Sequence, residues 1–271
     1  MDHHKIGDKP QDTLHEVSAK VEQLRVLAAA QPHAYLHQLA DCLGERGVEQ
    51  ARLQQPEAAL ISLGEAVELS RKLATEKPEM WPRLAMHLHN LGICQGLCQQ
   101  PAAEFASMSE SVIFLRQLAA SQPDEYLVRF AMGVRELGEQ AQNLGQQAAA
   151  RFFTLEALDA YNKLADQDPQ TFLLELAACL KALAIVMLEA GRREDALASY
   201  EMALERIHAV AQIDPSRVPT ADIHQGRLMQ ERLQNPESTL AMVVSIVERA
   251  RQRAQLGSAT DLAELAYHLR N

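Results

Sequence analysis

Five versions of one phrase recur along the chain, and their regular spacing constrains the fold more than any other feature. LAAAQPHAY begins at Leu27, LATEKPEMW at Leu73, LAASQPDEY at Leu118 and LADQDPQTF at Leu164, with a weaker copy, VAQIDPSRV, at Val210. The prolines within them, Pro32, Pro78, Pro123, Pro169 and Pro215, stand 46, 45, 46 and 46 residues apart. Self-similarity at a fixed period of about 20 to 50 residues marks a unit too small to bury its own apolar face, stacked on copies of itself.

The rest of the unit keeps register. Tyr35, Trp81, Tyr126, Phe172 and Val218 each follow their proline by three residues. A small residue comes later, Gly47, Gly92, Gly138 or Ala184, and twelve residues beyond it stand Ala59, Glu104, Ala150 and Ala196. Seven further on come Ala66, Ser111, Ala157 and Ala203. Seven residues is close to two helical turns, so these small residues share one face and let a neighbouring helix approach closely. Each unit therefore reads as two antiparallel helices, A and B. In the first unit A runs from just after the proline to about Leu53, and B from near Pro56 to near Ala74. Asp168-Pro169 and Asp214-Pro215 supply N-cap and first-turn signals, Pro56 and Pro101 open B helices, and Gly191 stops an A helix. Leu, Ala and Gln dominate, and aromatics are only 4% of the chain, which favours helix over sheet.

With Leu137-Gly138, Ala150, Ala157 and Pro169, and again Ala196, Tyr200, Ala203 and Pro215, the pattern resembles the tetratricopeptide repeat (TPR) over roughly residues 14–255. Family units are about 34 residues long. The extra dozen here lengthens both helices to about 20 residues, or roughly 30 Å. The resemblance implies an all-α, right-handed α-α superhelix, a TPR-like solenoid of about 11–12 helices in antiparallel pairs. The boundaries that follow are a flexible N-terminus over 1–10 and one solenoid over 11–271. The solenoid divides into a half repeat at 11–30, repeats at about 32–77, 78–122, 123–168 and 169–214, a degenerate repeat at 215–256 and a capping helix at 259–270.

Bulk properties exclude some functions. The formal charge of −10, with few aromatics, gives neither the cationic footprint nor the stacking platforms of a nucleic-acid binder. The N-terminus has no apolar core or cleavage site of a secretory signal, and contiguous apolar runs such as Leu183–Leu188 are too short to span a membrane. Four cysteines without a secretory context read as reduced thiols, and hence a cytoplasmic protein.

No phosphate loop, HExxH or nucleophile elbow is present, so the chain reads as no enzyme and as needing no cofactor. His87, Cys94 and Cys98 share a helix face, but positions i and i+11 lie about 16 Å apart along the axis and a fourth ligand is missing, so no metal is expected. Cys98 takes the repeat position of Leu53 and Leu144 and is expected in the core. Cys42, His87 and Cys179 share another position and are expected as half-buried packing sites. Glu104 departs from the Ala pattern. It either pairs with a neighbouring arginine or marks a one-residue shift that puts Ala103 in the Ala position, and QPAAEF favours the shift.

What the resemblance implies about binding lies on the A helices. The family's ligand positions fall on Asp41, Val48 and Arg52; on Met86, His89 and Ile93; on Met132, Arg135, Glu139, Gln142 and Asn143; and on Lys181, Ile185, Leu188 and Glu189. The third unit is the most polar, so the groove is expected to centre there. The family's carboxylate clamp needs an Asn after the small position, and Val48, Ile93, Glu139 and Ile185 stand there instead. The resemblance thus implies a protein or peptide partner held in a concave groove by an adaptor, chaperone or regulatory subunit. A peptide or small-molecule sensor, an inhibitor or immunity partner of a toxin, and a scaffold dimerising through Met242–Val247 are the alternatives.

Overall fold

The computed structural model describes residues 10–218. Among them are nine α-helices and no strand: α1 (Pro10–Ala30), α2 (Pro32–Arg52), α3 (Pro56–Glu76), α4 (Trp81–Leu97), α5 (Pro101–Ser121), α6 (Pro123–Asn143), α7 (Gln147–Gln167), α8 (Pro169–Glu189) and α9 (Arg193–Ile213). Short 3-10 turns at Pro78–Met80 and Pro215–Arg217 complete them. The N-terminus expected to be flexible, most of the expected degenerate repeat, and the expected capping helix and dimer seam lie outside the described residues.

The described residues form two compact units, 10–118 and 119–218, divided in the last turn of α5. In the first, α1, α2, α3 and α4 pack each against the next, and in the second α6, α7, α8 and α9 do the same. The lone helix α1 precedes the first pair; α2/α3, α6/α7 and α8/α9 are A/B pairs, and α4 and α5 are the A and B helices of the repeat between. This is a TPR-like helical repeat fold with long helices.

The A-to-B turn has one geometry throughout. Gln54, Gln99, Gly145 and Gly191, at equivalent repeat positions, are all left-handed, with φ of 58°, 58°, 69° and 75°. The next residue's N–H reaches five residues back, Gln55 to the Gln50 carbonyl at 2.9 Å and Arg192 to the Met187 carbonyl at 2.8 Å. That closes the helix C-terminus in the Schellman manner. Glycine adopts this conformation freely; the two glutamines carry strain.

The register of the pairs is equally constant. A Cβ on Gly47 would stand 2.5 Å from Leu63, one on Gly92 2.8 Å from Met108, and one on Gly138 3.1 Å from Thr154. Each contact is sixteen residues beyond the small residue. The second repeat therefore has no one-residue shift, and the expectation that Ala103 replaces Glu104 is incorrect. Glu104 keeps the Ala position because Gly96 clears space for it: a Cβ there would fall 2.7 Å from the carboxylate. Ser111, also in an Ala position, is buried with its hydroxyl donating to the Ala85 carbonyl at 2.7 Å.

In the second repeat the A helix starts late, at Trp81 rather than directly at Pro78. Pro82 has no N–H to give the Pro78 carbonyl four residues back, so a helix cannot run through both. The 45-residue spacing is accommodated here, since Gly92 follows Pro78 by one residue fewer than Gly47 follows Pro32.

Three burial expectations change. Cys42, His87 and Cys179 are buried outright, at 2%, 0% and 1% exposure, rather than half-buried. Cys98 is half-buried as the C-cap of α4, and Leu53 and Leu144 cap their helices in the same way, so this position is a rim and not core. Finally, α8 is long and apolar enough to cross a membrane by length and composition, which the short contiguous runs did not reveal. Its apolarity has a packing role: Leu176, Leu180, Leu183 and Met187 are buried in the second unit.

Candidate functional site

In the first unit the A-helix residues are committed to one another. Asp41 on α2 pairs with Arg83 on α4 at 2.9 Å, tying successive A helices together. Burial raises its pKa, with Arg83 opposing. Arg52 is bound to Glu49 at 2.5 Å in the last turn of α2. Val48 and His89 are half-buried and Met86 exposed. Ile93, at 6% exposure, belongs to the interior and is not a surface position.

The second unit brings the polar candidates together. On α6, Arg135 donates to Glu139 at 2.6 Å, one helical turn on. The hydroxyl of Tyr161 on α7, a side chain only 1% exposed, favours the charged guanidinium. Cys179 of α8 is near enough to feel the same charge. Burial acts to lower the pKa of Arg135, but Glu139 and the Tyr161 hydroxyl outweigh it and the charge is held. Burial pushes Tyr161 up to about 12, with Arg135 opposing. The result is a half-buried arginine paired with a carboxylate, its charge favoured by a core phenol, with side-chain exposures of 24% for Arg135 and 52% for Glu139. Lys181, Ile185, Leu188 and Glu189 are half-buried on α8, Met132 and Gln142 are half-buried on α6, and Asn143 is exposed at its end.

This arrangement can present fixed charge and hydrogen-bonding groups beside apolar side chains; it does not assemble a nucleophile. Burial drives Cys94 and Cys179 to about 12 and also raises Cys42 and Cys98, so these thiols stay protonated near neutrality. His87 turns to Ser70 while Cys94 packs with Ala59 and Leu63, so the helix face they share does not converge on one point. Among the described residues no group of three or more His, Cys, Asp or Glu side chains could hold a metal ion.

Sequence reasoning missed the polar links between B helices. Arg25 grips Glu65 through two bonds of 2.6 and 2.5 Å, and Arg71 grips Glu110 through bonds of 3.0 and 2.5 Å. The signal was available: Arg25, Arg71 and Arg116 are spaced 46 and 45 apart, and Glu65, Glu110 and Glu156 are spaced 45 and 46 apart. Tyr161 was also missed, because nothing in the linear pattern joins it to Arg135.

No protein-family model matches the chain, and no curated protein matches it. Solved structures do. BtubC (BKLC) from P. vanneervenii is similar with a TM-score of 0.53 and 17% identity, over 93% of this chain and 94% of that one. A putative kinesin light chain from Podosopora anserina with nearly identical TPR-like repeats gives 0.49 and 18%, over 87% and 96%. MamA gives 0.46 and 17%, over 78% and 99%. At 17% identity the likeness to BtubC is one of fold.

Proposed function

We propose that the protein is a non-catalytic interaction module, an adaptor, chaperone or regulatory subunit, that binds a segment of a partner protein across the A helices α6 and α8. The observation that carries this reading is the anchored Arg135–Glu139 pair. Its guanidinium is paired with Glu139 one turn along α6 and is only 24% exposed, so it is partly ordered before any partner arrives. Pre-ordered polar groups lower the entropy cost of binding and set specificity. Ile185 and Leu188 on α8 add apolar area for an extended or amphipathic segment. The protonated state of the thiols supports a binding role over a covalent one. All four cysteines are free, which supports a reducing compartment such as the cytoplasm.

The test is affinity capture from cells of the source organism with wild-type protein and with a Glu139→Lys/Lys181→Glu variant. Arg135 is left in place because its side chain is mostly buried, so changing it would also disturb packing. A partner retained by the wild type and lost by the variant supports the reading. Turnover of a substrate, abolished by a point substitution, would overturn it.

A further inference from the structure

His87 is an ionisable side chain in a place that accepts only its neutral form. Its exposure is 0%. It projects from α4 into the angle between α2 and α3. A Cβ on Gly44 of α2 would stand 2.6 Å from its Nε2, so the ring fills the space that a glycine leaves. From α3, the Ser70 hydroxyl lies 2.8 Å from Nδ1, and Ser70 is itself buried. The Nε2 atom has no hydrogen-bond partner. One ring therefore joins three helices through one polar contact and close packing, with no carboxylate among its hydrogen-bond partners.

The surrounding charges add to this. Arg83, one turn earlier on α4, disfavours a second positive charge. Asp41 on α2 holds Arg83 at 2.9 Å, with Glu45 and His37 acting on Asp41 in turn. The contact from α3 is the neutral Ser70 hydroxyl. The other units carry no imidazole at this position: the equivalent residues are Cys42, Gly133 and Cys179. A buried imidazole at this repeat position is thus found in one of the four repeats.

We propose that His87 is an acid-sensitive latch in the first unit: its neutral ring closes α4 onto α2 and α3, and protonation opens that closure. Burial, with Arg83 second, lowers the ring's pKa from 6.5 to about 4. The closed form therefore binds the proton more weakly than the open form. Closure is fully favourable above about 6.5 and weakens as pH falls towards 4. By pH 4 the open population of α4 is expected to rise by about 150-fold, a ratio set by the two pKa values.

The experiment is hydrogen exchange with mass spectrometry on the full chain from pH 7.5 to 4, corrected for intrinsic exchange. It compares peptides from α4 with peptides from α8, in wild type and in His87→Cys, which installs the residue of two other units. In wild type α4 is expected to open by about 150-fold more at pH 4 while α8 changes by less than about tenfold, and in His87→Cys the α4 response is lost. A flat α4 response in wild type, or the same rise in His87→Cys, overturns the proposal. If His87→Cys lacks native helicity at pH 7.5, an NMR titration of the wild-type ring decides instead. A midpoint near 4 supports the latch and one at or above 6.5 overturns it.

Discussion

The carboxylate of Glu104 lies over Gly96, 2.7 Å from where a Cβ on that glycine would stand. The first repeat has Ala59 and Ala51 at the corresponding positions. The second repeat has thus exchanged two small residues for a large one facing none. Gly96→Ala is expected to destabilise the protein by about 1–3 kcal/mol through overpacking. Adding Glu104→Ala, which restores the pair found in the first repeat, should recover most of that loss. Urea unfolding of the two single variants and the double variant measures the coupling. Additive effects would mean that the two residues do not share space.

The strained glutamines give a second prediction. Gln54 and Gln99 both sit at φ 58°, where the later repeats have Gly145 and Gly191. Gln54→Gly and Gln99→Gly should each raise stability, by about 0.5–1 kcal/mol, because relief of left-handed strain exceeds glycine's added unfolded-state entropy. Thermal unfolding checks this, and a fall in midpoint for both would contradict the shared turn geometry.

The Arg71–Glu110 pair links α3 to α5 in the first unit. Being partly exposed, it contributes of order 1 kcal/mol or less, but opposing like charges cost more. Arg71→Glu alone should lower the unfolding midpoint and sharpen its salt dependence. The exchanged pair, Arg71→Glu with Glu110→Arg, should return close to wild type. Failure of the exchange to rescue would show that the pair does not set the approach of these helices.

The helix start at Asp168 gives a pH-dependent prediction. The hydroxyl and N–H of Thr171 donate to its carboxylate and hold its pKa below the ordinary value of 3.8. A depressed carboxylate stabilises the fold above its unfolded pKa and loses that contribution as pH falls through the folded one. Asp168→Ala should therefore lower the thermal midpoint at pH 7, and the difference from wild type should shrink below about pH 4. A difference independent of pH would argue against the cap.

The helix pairs were legible because their causes are local and repeated. Proline at the first turn, a small residue at the crossing and a left-handed turn residue recur at fixed spacing, and each dictates backbone geometry by itself. What was not legible depends on two positions at once. Glu104 alone reads as an error in the repeat, and only with Gly96 does it become an accommodated side chain. Asp41 reads as a free surface acid until Arg83 of the next A helix takes it up. Arg135 was found by position, but the phenol that favours its charge lies on another helix. Pro82 shows the limit in a third way: one missing N–H delays α4 within an otherwise intact repeat.

The central claim, that the α6–α8 face binds a partner protein, is tested most directly by titrating the captured partner calorimetrically into three proteins. These are the wild type, Glu139→Lys/Lys181→Glu and the control Lys163→Ala, which removes an exposed lysine paired with Asp159 on α7. The account predicts at least about a tenfold loss of affinity for the charge-reversed variant, roughly 1.4 kcal/mol, and no change for the control. Equal affinity for all three proteins would contradict it.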